Sequence, residues 1–134
     1  MIAFEESKTR INLMRAFAGE SQARNRYTFA AALARQNRLE VVARTFDFTA
    51  GQEKEHAEIF YQFLAPMNGS NILMDAGFPV NTEQNVPAQL RAAVHNETEE
   101  CNTAYPEFSR IAREEGFTDA AKLWENIAPI EGLH

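Results

Sequence analysis

Cysteine is nearly absent from this chain, with Cys101 the only one among 134 residues. No intramolecular disulfide can form, and no metal module built from several cysteines fits within the sequence. The ordinary role of such a residue is a small, half-buried side chain. Long apolar runs are also missing, since none approaches the roughly 20 residues that span a bilayer. Residues 1–10 place Glu5, Glu6, Lys8 and Arg10 ahead of any sustained apolar stretch, the wrong order for a secretory signal. These absences predict a cytoplasmic protein without a membrane partner. Basic residues are outnumbered, 13 Lys and Arg against 19 Asp and Glu, for a net charge of −6. A nucleic-acid partner is excluded on that ground, because phosphate contact needs a basic face.

Alternating strand patterns are lacking too, while spacings of three and four recur throughout, so the chain reads as all-α. Its length suits one domain, 1–134, with a real core, and 45% hydrophobic content can fill it. A first helix is expected over about 7–35, with Leu13, Ala16, Phe17, Glu20, Ala23, Tyr27, Ala30 and Ala34 inward. Asn37, followed three residues later by Glu40, resembles a capping box that opens a second helix reaching about Leu64. The seam of that helix, Val42, Phe46, Thr49, Glu53, His56, Phe60 and Phe63, steps by four and three without a fault.

From Ala65 to about Val86 the residues are those of turns and loops, among them Pro66, Asn68, Gly69, Gly77 and Pro79. A connection this long reads as a crossover along a four-helix bundle, with Ile72, Leu73, Met74 and Phe78 covering apolar surface. Asn85 and Pro87 open a third helix continuing to about Glu115, with Leu90, Ala93, Glu97, Glu100, Ala104, Phe108 and Ile111 inward. Pro106 is expected to bend it. Gly116 closes that helix, and Thr118 with Asp119 opens a fourth whose seam is Ala120, Trp124, Ile127, Glu131 and His134. Four helices, two short turns and one long middle connection predict a ferritin-like bundle.

Two of the three histidines follow a glutamate by three residues, in Glu53-Lys54-Glu55-His56 and Glu131-Gly132-Leu133-His134. Residues i and i+3 share a helix face, so each unit can offer one oxygen and one nitrogen to neighbouring metals. Glu20, Glu97 and Glu100 hold seam positions on the other two helices. The seven residues match the ligand pattern of di-iron and di-manganese carboxylate bundles, and mixed carboxylate and imidazole ligation suits redox-active iron or manganese. Five ionised carboxylates leave a single positive charge on two ferric ions, whereas without metal they repel one another. His95 lies off the seam and reads as a surface residue. Tyr27 and Tyr105 stand near enough to hydrogen-bond a ligand carboxylate, although a core role suits either equally.

The stretch Ala16-Phe17-Ala18-Gly19-Glu20-Ser21-Gln22-Ala23-Arg24-Asn25-Arg26-Tyr27, the Glu53-to-His56 unit, and the run from Tyr105-Pro106-Glu107-Phe108 to Ile111-Ala112-Arg113-Glu114-Glu115-Gly116-Phe117 closely resemble the di-iron domain of the rubrerythrin family. The likeness covers nearly everything outside the crossover. It implies a non-haem di-iron peroxidase that reduces hydrogen peroxide to water in oxidative-stress defence, in a cytoplasmic homodimer that can exchange helices. It further implies Glu53 and Glu131 as bridging carboxylates, Glu20 as a terminal ligand of one iron, and Glu97 with His134 as terminal ligands of the other. Glu100 matches a family glutamate that exchanges with His56 as the iron changes oxidation state, and Tyr27 and Tyr105 match tyrosines beside the site. Manganese or zinc can stand in for iron at such sites.

Three departures qualify this expectation. Rubrerythrins typically carry a rubredoxin domain whose iron is held by four cysteines, and one cysteine cannot build it, so a separate donor such as a rubredoxin or a flavoprotein is expected. Pro129 stands two residues before Glu131 and is expected to cost about 3 kcal/mol and to distort the ligand geometry there. His134 ends the sequence, which places a ligand in a fraying last turn and predicts a natural chain that continues. The competing function is iron oxidation and storage of the ferritin kind; a purely structural or metal-sensing bundle is the third reading.

Overall fold

A computed structural model describes residues 2–131. Five α-helical segments, α1 (Lys8–Gln36), α2 (Glu40–Gln62), α3 (Val86–Glu99), α4 (Tyr105–Glu115) and α5 (Thr118–Glu131), make a ferritin-like bundle. A π-helical segment, Glu100–Ala104, joins α3 to α4, so that the two form one rod. Single 3-10 turns lie at Phe4–Glu6 and Ala65–Met67. No helix among the described residues is long and apolar enough to cross a membrane.

The first helix begins where its orphan amides find acceptors. Ser7 Oγ accepts from the Arg10 amide at 3.1 Å, and the Glu115 carboxylate accepts from the Lys8 and Thr9 amides at 2.8 Å each. An acidic group at a helix N-terminus satisfies both the unpaired donors and the dipole. Glu115 comes from the far end of the α3–α4 rod, so the same carboxylate fastens two elements.

The α1–α2 turn differs from the expected capping box. Asn37 caps the end of α1 instead, its Nδ2 donating to the Leu33 carbonyl at 2.9 Å, and α2 starts after Leu39 with no side-chain cap. Arg38 takes the left-handed conformation, φ 59°, and the Leu39 amide bonds back to the Ala34 carbonyl. This is a Schellman closure, which occupies the Asn37 side chain and leaves no room in the short link for a second cap.

Apolar side chains form two clusters separated along the bundle. One contains Leu13, Ala16, Phe60, Tyr105, Trp124 and Ile127. The other contains Ala23, Tyr27, Ala30, Phe46, Ala50 and Val86. On α1 the gap between them falls at Glu20, and on α2 it falls at Glu53 and His56. Phe60 and Trp124 are fully enclosed, and burying a side chain such as Phe60 contributes about 1.5–3 kcal/mol.

Phe17 is half-buried, packed on the first cluster with its ring stacked on Tyr61, whereas two other inward assignments need correction. Leu90 is 40% exposed, because α3 buries only Val86 and Glu97. In the crossover, Leu73 is 92% exposed and covers nothing; Ile72 packs on the first cluster, and Phe78 lies over Gly19.

The bend expected at Pro106 takes the form of the π segment. Within it the Tyr105 amide bonds to the Glu100 carbonyl, five residues back. Proline has no amide and crowds the carbonyl four residues before it in an α-helix; the wider turn relieves that clash. Pro129 does not break α5, which runs through it to Glu131 with Pro129 on the exposed face.

Candidate metal centre

The layer between the two apolar clusters is acidic. α1 contributes Glu20, α2 Glu53 and His56, α3 Glu97, the π segment Glu100, and α5 Glu131. Glu20, Glu53 and Glu131 have no solvent exposure at all. Ligand-capable atoms of Glu20, Glu53, His56 and Glu131 lie within 4.8 Å of one another, and so do those of Glu97, Glu100 and Glu131. Glu131 belongs to both groups, which makes two adjacent positions joined by one carboxylate. Glu53 is in the first group, and its charge also acts on Glu97 and Glu100. His56 turns Nδ1 inward, 2.9 Å from Glu131 Oε1 and 3.8 Å from Glu20 Oε2. Of the seven residues singled out by spacing, six thus converge; His134 lies outside the described residues. His95 is exposed.

The two tyrosines reach the layer from opposite sides and cross between helices. Tyr105, in the first apolar cluster, donates from Oη to Glu20 Oε1 at 2.5 Å. Tyr27, in the second, donates from Oη to Glu97 Oε1. Tyr27 shares a stripe with Glu20 on α1, yet its partner is on α3; spacing along one helix could not reveal a pairing set by how the helices face. Each hydroxyl orients one carboxylate oxygen and leaves the other turned inward, the arrangement expected of groups that steer metal ligands.

Electrostatics decide what this layer can accept. Burial pushes the Glu97 carboxyl far up, helped by the Glu131 carboxyl against it and by the charges of Glu53 and Glu100. Burial raises Glu100 as well, with Glu131 and Glu53 adding and Arg26 opposing. At His56, burial works against the imidazolium, but the bond to Glu131 and the nearby charges of Glu53 and Glu55 outweigh it, so the pKa is raised. Both tyrosine hydroxyls are held well above their usual range, first by burial and then by the surrounding carboxylates, so they stay protonated. Everything in the layer therefore favours positive charge.

A pair of metal cations fits that demand. Glu20 Oε2 is buried and accepts no hydrogen bond among the described residues. Glu97 and Glu131 approach carboxyl to carboxyl, which requires a shared proton or a cation between them. The donors are oxygens with one imidazole nitrogen and no thiolate, a set suited to iron, manganese or zinc rather than to soft metals.

Comparison with known proteins agrees with the architecture. The family model described as rubrerythrin matches residues 12–134. A rubrerythrin of Porphyromonas gingivalis is 44% identical over 128 residues, covering 96% of this chain and 62% of the relative. Rubrerythrins of Clostridium perfringens and Nitratidesulfovibrio vulgaris are each 38% identical over the whole chain, which covers 69% of either relative. The chain thus spans under two thirds of the Porphyromonas relative's length and slightly more of the other two.

Proposed function

The chain belongs to the rubrerythrin family, and on that footing we propose that it is a non-haem di-iron peroxidase, reducing hydrogen peroxide to water in oxidative-stress defence. The observation that carries the proposal is the pair of buried donor groups sharing Glu131. Glu20, Glu53 and His56 would hold one metal and Glu97 and Glu100 the other, with Glu131 available to both; a bound ferrous pair would supply the two electrons needed to reduce the O–O bond.

The residues supply the rest. Glu20, held at Oε1 by Tyr105, and Glu97, held at Oε1 by Tyr27, keep their free oxygens aimed at the centre without rearrangement during the reaction. The Tyr105 and Tyr27 hydroxyls retain their protons at neutral pH and are placed to deliver them towards developing oxide through the carboxylates they touch. The apolar clusters flank the layer along the bundle and limit water from those two directions. Within these 134 residues one cysteine cannot hold a four-thiolate iron, and the centre would be re-reduced by an electron donor such as a rubredoxin or a flavoprotein.

Stopped-flow oxidation of the reduced, iron-loaded protein tests the proposal. Oxidation by hydrogen peroxide is expected to exceed that by dioxygen by at least about tenfold at equal concentration. Equal or faster reaction with dioxygen, with many irons taken up per chain, would favour iron oxidation and storage instead. Failure to bind two metals per chain would remove both.

A further inference from the structure

A cavity of about 390 Å³ opens beside the metal centre, between α1, the crossover and the π segment. It shares Glu100 and Tyr105 with the centre, so anything filling it lies against the reacting layer. Its size is out of proportion to hydrogen peroxide, which occupies the space of about two waters, ~60 Å³. Volumes of this order belong to sites for small organic ligands, which start near 300 Å³. Ala16, Ala104, Phe78 and Phe108 give it an apolar stretch of wall, beside the polar side chains of Gln22, Asn96 and Thr103.

Sequence and fold combine to create this space. Position 19 is glycine, and a Cβ there would sit 3.5 Å from the Phe78 ring. The crossover places that ring over α1 as a wall, and the wide π turn carries Thr103 and Ala104 onto the opposite side. Charges of both signs line the cavity, Arg15 and Arg26 against Glu99 and Glu100, and the Arg15 guanidinium is already held by Asp75 and Asn12. The cavity therefore suits a neutral molecule with an apolar body.

We propose that the cavity admits neutral organic hydroperoxides, with the alkyl or aryl body along Phe78 and Phe108 and the O–O group directed towards Glu100 and Tyr105. This assignment rests on the peroxidase reading and extends it to a second substrate class. In the reaction ROOH takes two electrons from the reduced centre and two protons. The O–O bond breaks, the alkoxy oxygen gains one proton to leave as ROH, and the distal oxygen gains the other to leave as water.

Two measurements test it, one independent of turnover. With the zinc-loaded, diamagnetic protein, cumyl alcohol, the product of cumene hydroperoxide, is expected to shift the amide resonances of Gly77, Thr103 and Ala104 saturably. With the reduced, iron-loaded protein, cumene hydroperoxide is expected to be consumed alongside hydrogen peroxide. Thr103→Phe, a change at an exposed lining residue, should lower both cumyl alcohol affinity and kcat/KM for cumene hydroperoxide by about tenfold, and alter hydrogen peroxide turnover by less than about twofold. Gly77→Leu repeats the experiment from the crossover side, where an added Cβ meets nothing within 4 Å, should the first variant fold poorly. Reduction of hydrogen peroxide without cumene hydroperoxide, or a parallel loss of both in the variants, would overturn the assignment and leave the peroxidase reading intact. Consumption of neither peroxide would sink the peroxidase reading and this assignment together, even if cumyl alcohol binds.

Discussion

Glu115 illustrates how a single carboxylate can be structural in a chain whose other buried carboxylates are not. It accepts from the Lys8 and Thr9 amides and from Thr9 Oγ1, the last at 2.5 Å. Burial raises its pKa, but the bonds from Thr9 and Lys8 and the Lys8 charge outweigh that and hold it below the ordinary range. A depressed folded pKa adds stability that is present above the unfolded value and vanishes as pH falls through the folded one. Glu115→Ala is accordingly expected to cost about 1–3 kcal/mol near pH 7, with the gap from the unaltered protein narrowing at a pH well below the ordinary glutamate range. Thermal unfolding at the two pH values checks this, and a gap unchanged at low pH would count against the ion-assisted cap. Nothing in the sequence around Glu115 distinguishes it from Glu114, which is exposed and pairs with Arg110. Their difference depends on which face of α4 meets the start of α1.

Among the elements, the π segment does the least legible work. The sequence offers Pro106 as a sign of disturbance, yet a kink and a widened turn are equally compatible with a missing amide. What the wide turn decides is phase, since one extra residue rotates everything before it by about 100° relative to everything after it. Glu97 and Glu100 precede the extra residue, and Tyr105 follows it, and all three must face one layer. Deleting Asn102, which is exposed, is expected to restore α-helical spacing and turn Glu97 and Glu100 away from Glu131. Helical content by circular dichroism should hold while bound metal, counted by elemental analysis, falls from two ions per chain to one. Retention of two ions would show that the phase is set elsewhere. By contrast, the middle of α2 was readable: Phe46, Glu53, His56 and Phe60 are buried as their spacing requires, because an uninterrupted amphipathic helix has one periodicity and no phase to lose.

For the molecule as a whole, the acidic layer is a liability that cations convert to an asset. Glu97 and Glu100 have folded pKa values raised above the unfolded glutamate range, chiefly by burial. Their contribution is therefore most favourable below the unfolded value and is lost as pH rises through the folded one. The metal-free protein is expected to lose thermal stability as pH rises from about 5 to 8, while the iron- or zinc-loaded protein holds its melting temperature across that range. Scanning calorimetry with and without chelator distinguishes the two cases. Parallel pH profiles would mean that the layer is compensated by something other than metal.

The sequence alone determined which residues are chemically out of place. Glutamates and a histidine on otherwise apolar seams are visible to spacing, because helical periodicity is a local property and the cost of burying a carboxylate does not depend on the fold. Four helices around a long connection followed from the same local signals. Only the tertiary structure decided that Tyr27 holds Glu97 while Tyr105 holds Glu20, and that Phe78 over Gly19 leaves a cavity beside Glu100. Those relations lie between helices, where axial offset and rotation set the distances. A linear sequence carries periodicity along each helix and has no term for the angle between two of them.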